Sequence, residues 1–185
     1  MDTGRRLSKM ATGRKPKKLS REALWNYALR ALGSRPHSAG ELRQKLAQRA
    51  ESSDDVDAAM AKLREYGFAD DQKFSEAFAA GRLENRGFGR FRVLRDLRSK
   101  RIAPLIAELA VQKAFADTDE QDLIQRFLEK KYRGKDLTAF LNQEKNLANA
   151  YRRLRTAGFT SSGSLSVLRR YAQQTPEWTE APEDE

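Results

Sequence analysis

The chain contains no cysteine and one histidine, His37. Disulfides, thiolate nucleophiles and thiolate or multi-histidine zinc sites are therefore excluded, and the composition fits a reducing cytosol. No apolar run approaches the roughly 20 residues a bilayer-spanning helix needs. The basic N-terminus is followed by no apolar signal core. Both absences predict a soluble, cytoplasmic protein. Sustained period-two alternation is missing, so no sheet is expected. Gly87-Phe88-Gly89 lacks the third glycine of a dinucleotide loop and follows a helical stretch instead of a strand, which makes it a turn. His37 has no Ser, Cys or Asp set to work with. Asp54-Asp55 and Asp70-Asp71 precede helices, where carboxylates cap more readily than they hold magnesium. No enzyme activity, cofactor or metal is expected.

What is present is basic charge, in blocks. The net charge is +10, and Lys and Arg total 36 against 26 Asp and Glu. Met1 to Lys18 holds seven basic residues and one acid; Arg82 to Arg101 holds eight basic residues against Glu84 and Asp96. Lys145 to Gln174 holds six basic residues and no acid, and Thr175 to Glu185 five acids and no base. A single basic helix face is ordinarily just solvated. Basic runs at similar places in successive units point instead to an anionic partner, nucleic acid or an acidic protein surface.

The units are visible as a repeat. Leu97-Arg98-Ser99-Lys100-Arg101-Ile102 and Leu154-Arg155-Thr156-Ala157-Gly158-Phe159 each end a basic helix, and Leu46-Ala47-Gln48-Arg49-Ala50-Glu51 is a looser copy. Aligned on Leu46, Leu97 and Leu154, the copies lie 51 and 57 residues apart. That period predicts an all-α fold, a tandem repeat of three-helix modules in an elongated array, either a rigid crescent or beads on hinges. The expected division is a basic arm over 1–18, modules over 19–67, 68–116 and 117–174, and an acidic tail over 175–185. Hinges are expected near Tyr66 to Asp71 and Phe115 to Thr118.

Local signals place the helices. Leu24, Ala28, Ala31 and Leu32 mark the first, with Trp25 core-facing, and Gly33 and Pro36 end it. Ser38-Ala39-Gly40-Glu41 reads as a capping box for a helix carrying Leu42 and Leu46. Ser53-Asp54-Asp55 caps the next, with Val56, Met60 and Leu63 as its stripe. Asp70-Asp71 opens a helix whose expected buried face is Phe74, Ala77, Phe78 and Gly81. Val93, Leu94 and Leu97 line the basic helix. Pro104 starts another, with Leu105, Ile106, Leu109 and Ala110 expected inside. Thr118-Asp119-Glu120-Gln121 reads as a second capping box before Leu123, Ile124, Phe127 and Leu128. Lys135 to Glu144 is a connecting helix or loop. Leu147, Tyr151 and Leu154 precede a stop at Gly158, and Leu165, Leu168 and Tyr171 mark the last helix.

Three stretches carry a family resemblance. Arg35-Pro36-His37-Ser38-Ala39-Gly40-Glu41-Leu42-Arg43-Gln44-Lys45-Leu46 resembles the first-module signature of the RecX family. Leu63-Arg64-Glu65-Tyr66-Gly67-Phe68-Ala69-Asp70-Asp71, followed by Phe74 and Phe78, looks like its paired-aspartate block. Arg86-Gly87-Phe88-Gly89-Arg90 and the helix to Ile102 are similar to the next block. Three places depart: Arg49-Ala50-Glu51-Ser52 replaces a Lys-Gly-apolar break, Arg101 stands where glycine is common, and the Lys135 to Glu144 stretch of the third module is unusual. The resemblance implies a regulator, mainly an inhibitor, of the RecA recombinase in DNA repair, recombination and the SOS response. It implies binding along the groove of the RecA filament on single-stranded DNA, with ATP hydrolysis, strand exchange and coprotease activity suppressed. Nothing in the sequence demands a dimer, so a monomer is expected.

Charge and position nominate the contact residues: Arg86, Arg90, Arg92, Arg95, Arg98, Lys100 and Arg101 in the second module, and Arg152, Arg153, Arg155, Arg169 and Arg170 in the third. The competing expectation is a general DNA-binding protein acting without RecA, since basic three-helix units resemble helix-turn-helix domains. A scaffold for other acidic proteins is the third class. The acidic tail, with Glu177, Glu180, Glu183, Asp184 and Glu185, is read as a plain tail or as a segment that folds back on the basic helices.

Overall fold

The computed structural model describes residues 18–172. The arm before Lys18, the acidic tail and Trp178 lie outside the described residues. Ten α-helices follow in order: α1 (Arg21–Ser34), α2 (Ala39–Ala47), α3 (Ser53–Glu65), α4 (Asp71–Gly81), α5 (Arg90–Ser99), α6 (Pro104–Ala114), α7 (Glu120–Lys131), α8 (Leu137–Leu141), α9 (Glu144–Ala157) and α10 (Ser161–Arg169). A π-helical turn over Arg82–Arg86 extends α4. The fold is all-α; among the described residues one bridge of extended chain pairs Leu19 with Ala50.

Helices α1 to α3 close on their own small core of Leu24, Ala28, Leu42, Leu46, Ala50, Val56, Ala59, Met60 and Leu63. Helices α4 to α10 share one larger core. It runs without a break from Ala79, Val93 and Leu97 through Phe115 to Ile124, Leu154 and Phe159. The expected hinge at Phe115 to Thr118 is therefore a packed turn: Phe115 is buried, and bending there would expose it.

Caps explain the helix starts. The Ser38–Glu41 box is present in both directions. Two expected caps move by one residue. Ser52, not Ser53, accepts from Asp55 N, and Asp119, not Thr118, accepts from Asp122 N. In each case the cap is the residue in extended conformation, which aims its side chain at the third amide of the helix. Asp136 caps α8, which resolves the ambiguous stretch as a short helix.

Two apolar faces differ from expectation. Helix α4 buries Ser75 and Ala79, keeps Phe74 and Phe78 half-buried against the core, and turns Ala77 to solvent. Helix α6 buries Ala107, Ala110 and Val111, whereas Leu105 and Leu109 are 67% and 56% exposed. Apolar residues lie on both sides of α6; the small ones mark the close-packed side, and Leu105 and Leu109 are left outside with Glu108.

Candidate interaction surface between the modules

Helices α2, α5 and α9, which carry the repeated endings, meet end to end. At one joint the C-terminal carbonyls of α9 accept from the N-terminal amides of α5: Gly89 N to Ala157 O at 2.9 Å and Phe91 N to Gly158 O at 3.1 Å. Each helix end thus supplies the partner the other lacks, and the two dipoles run head to tail. The approach requires glycine on both sides. A Cβ on Gly89 would lie 2.3 Å from Gly158 O, and one on Gly158 2.1 Å from Arg92 N. Gly158 also has φ +90°, a left-handed conformation that suits glycine.

The other joint repeats the plan with polar side chains. The Ser38 hydroxyl accepts from Glu41 N at 3.0 Å and donates to Lys100 O, at the C-terminal end of α5, at 2.5 Å. Asp71 does not cap its own helix. Its Oδ1 accepts from Ala39 N, the first amide of α2, at 2.7 Å. Lys100 Nζ reaches Glu41 Oε1 at 2.8 Å, and Arg101 Nε donates to Gln44 Oε1 at 3.2 Å. Burial alone would raise the Glu41 pKa, but hydrogen bonds from Lys100 and Arg35 and their charges hold it below its ordinary value.

Several nominated cations are thereby committed to the architecture. Lys100 and Arg101 hold the α5–α2 joint. Arg92 and Arg95 donate to Thr156 O at 3.4 and 3.2 Å, and Arg155 donates to Phe159 O at 2.6 Å. Arg170 donates to Gln121. Arg98 faces Glu108 at 3.7 Å, and Arg90 lies 5.9 Å from the centre of the Phe115 ring. Arg86 and Arg169 are exposed.

Three nominated residues converge. Arg92, Arg152 and Arg153 line a cleft of about 470 Å³ between α5, α7 and α9, together with Phe88, Phe127, Lys131 and Asn149. Four cations surround two aromatic rings there, and no acid lines the cleft. Arg92 is partly neutralised by Asp96, at 3.0 Å, and stands 5.3 Å from the Phe88 ring centre. Arg152 and Arg153 are exposed; Arg152 donates to Asn149 Oδ1 at 2.6 Å. Sequence reasoning did not include Lys131, Phe88, Phe127 or Asn149. Lys131 sits in the last turn of α7, where a cation normally complements the helix dipole, so its sequence position did not mark it. The cleft is suited to hold anionic groups, carboxylates or phosphates, with an apolar or aromatic portion against the rings.

Comparisons with known proteins follow the modules. Residues 25–71 match the family description "RecX, first three-helix domain", and residues 70–111 match "RecX, second three-helix domain". The chain is 30% identical over 162 residues to the regulatory protein RecX of Deinococcus radiodurans, covering 88% of this chain and 74% of that protein. It is 28% identical over 109 residues to the regulatory protein RecX of Trichlorobacter lovleyi, covering 59% of this chain and 71% of that protein. The crystal structure of RecX from Lactobacillus salivarius superposes with a TM-score of 0.61 at 16% identity, over 82% of this chain and 96% of that one. This last likeness concerns the fold alone.

Proposed function

The chain belongs to the RecX family of regulatory proteins, and from that premise we propose that it regulates the RecA recombinase, mainly as an inhibitor. In this reading it acts as a cytoplasmic monomer on the RecA filament formed on single-stranded DNA. It lies along the filament groove and suppresses ATP hydrolysis, strand exchange and coprotease activity. The units over 19–67, 68–116 and 117–174 engage neighbouring subunits, so that several weak contacts act together. The chain works as a binding protein, not as an enzyme.

The observation that carries the reading is the cleft between α5, α7 and α9, whose lining of four cations and no acid suits an acidic protein surface or a DNA phosphate. The runner-up, a DNA-binding protein independent of RecA, is less well supported. In a three-helix unit of the helix-turn-helix kind, the third helix enters the major groove and reads bases with polar side chains. In the second module that helix is α6, which turns Leu105, Leu109 and Glu108 outward. Exposed leucines suit contact with a protein.

The test is ATP hydrolysis by the cognate RecA on single-stranded DNA while this protein is titrated in. Inhibition is expected well below the concentration at which the protein coats naked DNA. Arg152→Glu with Arg153→Glu should raise the concentration needed by about tenfold or more, since reversed charges repel the same partner. Unchanged ATPase at saturating protein, with DNA binding intact, would move the assignment to the general DNA-binding class.

A further inference from the structure

Away from the cleft, the first module displays three aromatic rings in a row. Trp25 on α1 is half-buried and lies 6.0 Å from Tyr66, whose ring lies 6.1 Å from Phe68 at an interplanar angle of 19°. Tyr66 is 58% exposed and Phe68 48%. Their backbone is fixed. Gly67, at φ +69°, ends α3 in a left-handed turn in which Phe68 N donates to Leu63 O at 2.8 Å and Gly67 N to Arg64 O at 2.9 Å. Exposed rings therefore stand on a rigid, capped helix end.

The charges around them are cationic where it matters. Lys62 Nζ stands 4.3 Å from the Trp25 ring centre and 5.9 Å from that of Tyr66. Lys62 and Arg64 make no ion pair among the described residues. Glu65 is the acid in that last turn. An ordinary apolar core residue would be covered, and an apolar protein-docking patch does not require nearly parallel rings beside unpaired cations. Aromatic faces that accept stacked bases, beside cations that follow a phosphate chain, are the parts of a single-strand binding platform.

We propose that Tyr66 and Phe68, with Trp25 and Lys62 behind them, form a stacking platform for unpaired bases of single-stranded nucleic acid. The platform is separate from the cation cleft of the second and third modules and gives the chain its own hold on the strand. It requires no RecA, so its test and that of the regulatory reading fail independently.

The test uses the full chain with Trp178→Phe, which leaves Trp25 as the sole tryptophan. Short oligo(dT) and oligo(rU) are titrated with no RecA present, and the tighter of the two identifies the strand. Either should quench Trp25 fluorescence saturably, and an abasic phosphate–sugar strand of equal length should not. Tyr66→Ala with Phe68→Ala should weaken binding about tenfold or more. Tyr66→Leu with Phe68→Leu should weaken it similarly, because leucine keeps the apolar surface and loses the stacking face. Equal quenching by the abasic strand would overturn the proposal. So would unchanged affinity in the alanine pair, or a leucine pair that binds like the parent chain. Circular dichroism of both pairs checks that the exposed substitutions leave the helices intact.

Discussion

At the α5–α2 joint, buried His37 is the group expected to set the pH response. It is 4% exposed, and its Nδ1 lies 2.8 Å from Arg35 O, so the neutral ring donates there. Nε2 is buried without a partner. A second proton would have no acceptor and would sit near Arg35 and Lys45. Burial lowers the His37 pKa from its ordinary 6.5; the bond to Arg35 O and the charge of Glu41 oppose this, while the charges of Arg35 and Lys45 add to it. The unfolded chain takes up a proton near its ordinary pKa while the folded chain resists. Stability is therefore complete above that pKa, falls as the pH drops below it, and levels off once folded His37 is also protonated. The urea midpoint should fall from about pH 7.5 to about pH 5.5, and His37→Gln should flatten that fall. Glu41 does not confuse the measurement, since its carboxyl titrates at more acid pH. An equal fall in both proteins would place the effect elsewhere. The joint beside His37 was half legible. Ser38 and Glu41 form a local pattern, three residues apart. The partners of Ser38 and Asp71, Lys100 O and Ala39 N, are 62 and 32 residues away and follow no local rule.

At the scale of elements, the glycines separate turn chemistry from close packing. Gly67 and Gly158 both have positive φ, at 69° and 90°. A Cβ on Gly67 meets nothing within 4 Å, whereas one on Gly158 runs into the Arg92 backbone. Gly67→Ala should therefore cost only the left-handed strain, about 1 kcal/mol. Gly158→Ala adds a backbone clash at the α9–α5 joint and should cost about 3 kcal/mol or more. Urea unfolding of the two variants checks this; equal losses would mean that the joint yields without cost. The same comparison explains Arg101, the departure from the family's glycine. Arg101 aligns with Gly158 in the repeat and keeps its left-handed φ, +62°. Its Cβ has room because the facing helix has Gly40, where any Cβ would lie 2.5 Å away. The α9–α5 joint has glycine on both sides, whereas the α5–α2 joint has it only on the facing helix. The repeat and its breaks were readable from the spacing of Leu46, Leu97 and Leu154. This exchange was not, because Gly40 and Arg101 meet only in the fold. The α6 face was misread because leucine, isoleucine, alanine and valine spread well beyond the buried face of this helix and leave a weak periodicity to follow.

At the scale of the molecule, the end-to-end helices form a line in which α5 is the middle link. Its N-terminus meets α9 and its C-terminus meets α2, so the most basic helix fixes both neighbours. The two joints differ in strength. The α9–α5 joint lies on the continuous core of α4 to α10, so separating it exposes apolar surface. The α5–α2 joint rests on the polar set of Ser38, Asp71, Lys100 and Glu41, and the core behind it, closed by α1 to α3, is small. Small cores are marginal alone, so the first module gains stability from its attachment. Asp71→Ala with Lys100→Ala removes the acceptor of Ala39 N and the ion pair to Glu41 while leaving both cores intact. Amides of α1 to α3 should then exchange with solvent about ten- to a hundredfold faster, a loss of about 1–3 kcal/mol of local protection. Amides of α7, α9 and α10 should keep their rates. Uniform acceleration along the chain would show that the molecule opens as one unit and that the polar joint couples its parts as firmly as the shared core does.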